Sequence, residues 1–236
     1  MKIRTSAELM THLQSDLAWR LAEIRELQAC VTSARRNRVD VHIRAGVAML
    51  YAHWEGFVKG AANAYVAHLA HRGDRNRDLK DCFVALSMRT LLAPLAETGT
   101  ANAAIAAVAF LRAQQDQATR LSKASIGTNS NLNSKVFKNI AEWLDIDHRP
   151  YSTRFSTLDE VLLANRNAIA HGEHLFIDIV RFQTLVEEVV EMLHWFKTDI
   201  ENAVAQKAFL TAVPSGVATS TVAAPTASGR EPPSAT

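Results

Sequence analysis

Proline is nearly absent from the first 210 positions, where only Pro94 and Pro150 occur, and this constrains the fold more than any other feature of the chain. An all-β fold needs a turn signal about every 8 to 12 residues, and a stretch with two prolines and seven glycines cannot supply them. Abundant Ala, Leu, Glu and Arg point the same way, so the prediction is an all-α fold. The other prolines, Pro214, Pro225, Pro232 and Pro233, come after Leu210, where the chain carries no aromatic residue and only Arg230 and Glu231 as charges. Residues 1–210 are therefore expected to form one helical domain, and 211–236 a disordered Ala/Ser/Thr/Pro-rich tail with too little apolar surface to bury.

Charge and cysteine usage exclude further classes. Lys and Arg total 26 against 24 Asp and Glu, and a net charge of +2 implies neither nucleic acid nor membrane unless basic residues cluster locally. Cys30 and Cys82 are isolated, as reduced core cysteines are, and have no partner at metal-ligand spacing. Thr5, Ser6 and Glu8 stand where a signal peptide would be apolar, and no uncharged apolar run reaches the roughly 18 residues of a membrane span. The expectation is a soluble, cytoplasmic chain with no membrane partner.

Periodicity locates the helices. Thr5 and Glu8 have capping-box spacing, and Leu9, Leu13, Leu17, Leu21, Ile24, Leu27 and Val31 mark one face of a helix to about residue 34. A second long helix is predicted over about 39–71, with Val39, Ile43, Val47, Leu50, Trp54, Phe57, Ala61, Tyr65 and Leu69 on its apolar face. Gly46, Gly56 and Gly60 lie inside it at about 0.5–1 kcal/mol each relative to Ala, which implies close approach of another backbone. Further helices are expected over about 78–93, 100–122, 133–145 and 177–208, with a loop over 125–131. Thr157 and Glu160 offer a capping box to the helix that Gly172 would stop.

The chemistry-bearing residues concentrate near that stop. Asn167 and His171 are four apart and share a face, while Arg166 lies about 140° around from His171 at about 100° per residue, so the two can flank one groove. A cation beside a titratable imidazole suits phosphodiester chemistry, the base taking a proton and the guanidinium holding charge on a pentavalent phosphate. Spacing alone is weak, since 18 arginines and 9 histidines give about two Arg-x4–6-His pairs by chance. Arg35/His42 and Arg36/His42 match as well, and on spacing alone a helix end with a capping histidine is the preferred account of the pattern. Arg35, Arg36, Arg38 and Arg44 form the densest basic cluster, either an RNA backbone contact or a solvated interhelical turn. Glu191/His194, His68/His71 and His171/His174 lack the partners that a metal site requires, and no metal or other cofactor is expected.

The segment Arg166-Asn167-Ala168-Ile169-Ala170-His171-Gly172 resembles the Arg-Asn-x-x-x-His motif of the HEPN superfamily, helical bundles many of which are metal-independent ribonucleases. Tyr51-Ala52-His53-Trp54-Glu55-Gly56-Phe57-Val58-Lys59 is similar to the Trp-Glu-Gly-Phe signature of a bacterial subfamily linked to defence and toxin systems, and the Asn131-Leu132 loop also fits it. The resemblance spans most of residues 5–208. It implies a bundle of long antiparallel helices and a homodimer in which two motif copies meet. The implied activity is endoribonucleolytic, leaving a 2′,3′-cyclic phosphate and a 5′-hydroxyl. His171 would take the proton of a ribose 2′-hydroxyl, Arg166 would stabilise the transition state, and Asn167 would orient the phosphate or the histidine. Trp54 and Glu55 are supporting candidates: Trp54 is either core or site, and Glu55 is either solvated, paired with Lys59, or set against Arg166. An antitoxin or regulatory partner is a further implication. A non-catalytic module that binds RNA, a nucleotide or a protein partner is the alternative.

Overall fold

In the computed structural model, which describes residues 2–89, 93, 97, 99–121, 126–128, 131–174 and 177–211, helix α1 (Ser6–Ser33) begins at a complete capping box. The Thr5 hydroxyl accepts from the Glu8 N–H at 3.1 Å, and the Glu8 carboxylate accepts from the Thr5 N–H at 3.0 Å. Leu9, Leu13, Leu17, Ile24 and Val31 are buried along one stripe, as their spacing predicts. A short turn at 34–38 reverses the chain into α2 (Val39–Arg72), so the two longest helices run antiparallel and pack along each other.

Helix α2 is the centre of the bundle. Ala61, Ala62, Ala64, Tyr65, Val66, Ala67, His68 and Leu69 are all buried, a run too continuous for one face, because other elements cover the helix on several sides. Helix α7 (Ile179–Ala205), capped by Asp178, packs on both α1 and α2. Between them come the smaller elements: α3 (Asp81–Ser87), α4 (Ala101–Gln114), and α5 (Ser134–Trp143), capped by Asn133. A 3-10 turn follows over Arg149–Arg154, then a π-helical segment over Thr157–Leu163 that runs without a break into α6 (Ala164–Ala170). Among the described residues there is no strand, only the isolated bridges Arg75–Ala118 and Leu79–Leu210. Among them, too, no helix is long and apolar enough to cross a membrane.

Several sequence expectations are corrected. Helix α4 stops at Gln114 rather than near 122, because the backbone after it pairs with the segment after α2: Asn76 N–H donates to Gln117 O, Arg77 N–H to Gln115 O and Thr119 N–H to Asp74 O, each at 3.0 Å. The Thr157/Glu160 capping box does not form, since the backbone is already helical at Phe155 and the Ser156 hydroxyl donates to Glu160 instead. The glycines of α2 admit side chains rather than a backbone. A Cβ at Gly46 would lie 2.6 Å from Phe182 Cζ, and one at Gly56 would lie 2.8 Å from Arg20 Nη1. The expected 78–93 helix is described only as α3, and the rest of it, like the 125–131 loop, lies partly outside the described residues. The expected tail beyond Thr211 lies outside them altogether.

Candidate active site

The end of α6 is built by local sequence. Gly172 takes φ +77, a left-handed conformation that costs a glycine little. Its N–H donates to Ile169 O at 3.1 Å, and the Glu173 N–H reaches back to Ala168 O at 2.9 Å. These two bonds form a Schellman motif and stop the helix at Ala170 with His171 as its C-cap, leaving that side chain exposed at the C-terminus. Gly172 as the stop is thus as expected.

Arg166 is held from two directions. Its guanidinium carbon lies 4.1 Å from the centroid of the Tyr51 ring, and its Nη1 donates to Asn167 Oδ1 at 2.8 Å. Asn167 therefore spends its side-chain oxygen on Arg166, while its backbone oxygen accepts the His171 N–H at 3.0 Å. Tyr51 is buried on α2, and its hydroxyl oxygen accepts the Leu132 N–H at 2.7 Å. Burial pushes the Tyr51 hydroxyl above the usual tyrosine range; the Leu132 N–H and the Arg166 charge pull it down, and Glu55 raises it further.

The loop carrying Leu132 is itself anchored. Asp159, in the π-helical segment, accepts from both the N–H and the hydroxyl of Ser134 at the start of α5. The extra residue per turn in that segment is invisible to a 3.6-residue periodicity, although such distortions are frequent beside functional sites. Sequence reasoning assigned no role to Tyr51, the Leu132 N–H or Asp159. Tyr51 was accessible in principle, because it lies one helical turn before Glu55 on the same face.

The other candidates fall in different places. Trp54 is fully buried against Phe137, with ring centroids 5.4 Å apart, so it lies in the core. Glu55 is half-buried, and its Oε1 is buried without a hydrogen-bond partner among the described residues. The Tyr51 ring lies under the guanidinium. Arg44 Nη1 donates to the carbonyl of Glu173, which ties one arginine of the basic cluster to the loop after His171. Arg35, Arg36 and Arg38 are exposed at the α1–α2 turn. No group of three or more His, Cys, Asp or Glu side chains is placed to hold a metal among the described residues.

No curated protein and no solved structure matches the chain significantly. A family model described as HEPN_MAE_28990-like HEPN does match, over residues 9–209, a span that runs from within the first turn of α1 through α7 and takes in every residue of the site. With an all-α bundle around an Arg-Asn-x-x-x-His helix end, the chain belongs to the HEPN_MAE_28990-like HEPN family.

Proposed function

We propose that this chain is an endoribonuclease of the HEPN type whose reacting groups are Arg166 and His171. HEPN domains include many ribonucleases, and the observation that carries the reading is the arrangement at the end of α6. There a guanidinium is pinned between Tyr51 and Asn167, and an exposed imidazole stands five residues further along. The imidazole takes the proton of a ribose 2′-hydroxyl, and the 2′-oxygen attacks the adjacent phosphorus. The bond from phosphorus to the 5′-oxygen breaks, that oxygen takes a proton from water and leaves as a 5′-hydroxyl, a 2′,3′-cyclic phosphate stays behind, and the imidazolium gives its proton back to solvent. Arg166 holds the charge that builds on the phosphoryl oxygens, a role that a planar, permanently charged fork performs best when already in place. No residue of this route requires a metal. The need for the 2′-hydroxyl makes the substrate RNA rather than DNA.

Arg44, set beside the Glu173 carbonyl, and the exposed Arg35, Arg36 and Arg38 of the α1–α2 turn supply backbone contacts for the RNA. Two copies of the site act together in a homodimer, and restraint by an antitoxin or regulatory partner fits a role as a toxin or anti-phage effector.

The test is cleavage of labelled single-stranded RNA by the purified chain beside His171→Ala and Arg166→Ala. Loss of a positioned base lowers the rate about 10²- to 10⁴-fold. Equal cleavage by wild type and both variants refutes the assignment, and tight binding with RNA recovered intact supports a non-catalytic binding module instead. Mapping the fragment ends checks the cyclic phosphate.

A further inference from the structure

We infer that Tyr51 is the positioning residue of the site, acting through Arg166 by linking the guanidinium to the loop at 131–133; this rests on the endoribonuclease reading above. Both ends of the side chain are engaged. The ring face lies 4.1 Å from the Arg166 guanidinium carbon, and the hydroxyl oxygen holds the Leu132 N–H at 2.7 Å. The hydroxyl bond fixes the ring, and the ring fixes the plane of the guanidinium, to which Asn167 Oδ1 adds an in-plane anchor at 2.8 Å.

The link belongs to a closed circuit. From Tyr51 it passes to Leu132, then to Asn133 capping α5 and Ser134 held by Asp159, then along the π-helical segment into α6 and back to Arg166. Every joint is a hydrogen bond, a stretch of continuous chain or a ring contact, and Leu132 is fully buried. A flexible arginine side chain is thereby ordered before substrate arrives, which removes reorganisation from the reacting state. A tyrosine serving only to fill the core would need neither the hydroxyl partner nor a cation on its face.

The experiment is a double-mutant cycle on RNA cleavage by the full chain, using Tyr51→Leu, Tyr51→Phe, Arg166→Ala and the Tyr51→Leu/Arg166→Ala pair. Tyr51→Leu is expected to lower kcat about 10- to 100-fold with KM changed less than about 3-fold, and Tyr51→Phe, which keeps the ring but gives up the Leu132 bond, to recover only part of that loss. In the Arg166→Ala background the same Tyr51→Leu change should cost less than about 2-fold, because the group through which Tyr51 acts is gone. A second readout does not depend on turnover: the Arg166 Nε–H resonance of the wild type should carry an upfield ring-current shift that survives in Tyr51→Phe and disappears in Tyr51→Leu. A wild-type resonance without that shift overturns the inference even if Tyr51→Leu does not fold. Equal losses in both backgrounds, or wild-type kcat in Tyr51→Leu, also overturn it while leaving the ribonuclease assignment intact. A wild type that leaves RNA uncut removes both.

Discussion

Substituting alanine at each of the three glycines inside α2 separates helix propensity from packing, because the same change meets a different neighbour at each position. In a helix interior, Gly→Ala gains about 0.5–1 kcal/mol from backbone entropy. At Gly60 the new Cβ would meet Asp16 Oδ2 at 3.6 Å, an ordinary contact, so the gain should be realised almost in full. At Gly56 the obstacle is Arg20 Nη1 at 2.8 Å, the far end of a flexible side chain whose bond to His53 O is already long at 3.4 Å, so the result should lie near zero. At Gly46 the Cβ would sit 2.6 Å from Cζ and 2.8 Å from Cε2 of Phe182, a ring buried to 1 % exposure with nowhere cheap to go. Overpacking of that kind costs about 1–3 kcal/mol, leaving Gly46→Ala about 0.5–2 kcal/mol less stable than wild type after the propensity gain. The assay is urea unfolding followed by helical circular dichroism. With a slope of about 2 kcal/mol per molar, the Gly46→Ala midpoint should fall by about 0.3–1 M while that of Gly60→Ala rises. A Gly46→Ala protein as stable as Gly60→Ala would refute the seating of Phe182 on α2, and Phe182→Leu in the Gly46→Ala background should restore part of the loss.

Other perturbations probe the site and its frame. Gly172→Ala forces a Cβ into φ +77 and should cost about 1–2 kcal/mol in unfolding free energy; an unchanged midpoint would contradict the Schellman end at His171. Asp159→Ala leaves both the N–H and the hydroxyl of Ser134 without their acceptor, so a loss of about 1–3 kcal/mol is expected in the same assay, and a neutral result would show the α5 anchor to be replaceable. Burial holds His68 below its ordinary value of 6.5, with both ring nitrogens unpartnered among the described residues, so the folded state favours the neutral ring. As the pH falls from about 6.5, the unfolded chain takes up a proton that the folded chain resists, and stability falls with it. His68→Leu should flatten that acid-side slope in unfolding curves taken between about pH 7 and 5, whereas an unaltered slope would assign it to other groups.

Elements whose cause is local were legible in order. The Thr5/Glu8 box, the Leu9-to-Val31 stripe and the Gly172 stop each depend on residues within a turn of one another, so spacing alone located them. The extent of α4 was not, because the residues that end it pair with a segment about 40 positions earlier. Trp54 shows the same division within one motif: its place on an apolar stripe was readable, but only its contact with Phe137 settled that it belongs to the core. For Glu55, spacing offered several partners, and the fold buries its Oε1 with no hydrogen-bond partner among the described residues.

By itself the sequence determined that the chain is helical, where its long helices lie, and that Arg166, Asn167 and His171 share one helix end, since proline scarcity, apolar period and capping chemistry act over neighbouring residues. Only the tertiary structure decided what holds Arg166, because Tyr51 is 115 positions away along the chain and reaches it by the packing of α2 against α6. It also decided that Asp159 would anchor α5 and that Arg44, far from the motif in sequence, would reach the carbonyl of Glu173. Period and spacing specify which face a residue occupies; which face it then meets depends on the simultaneous burial of every other apolar stripe in the bundle.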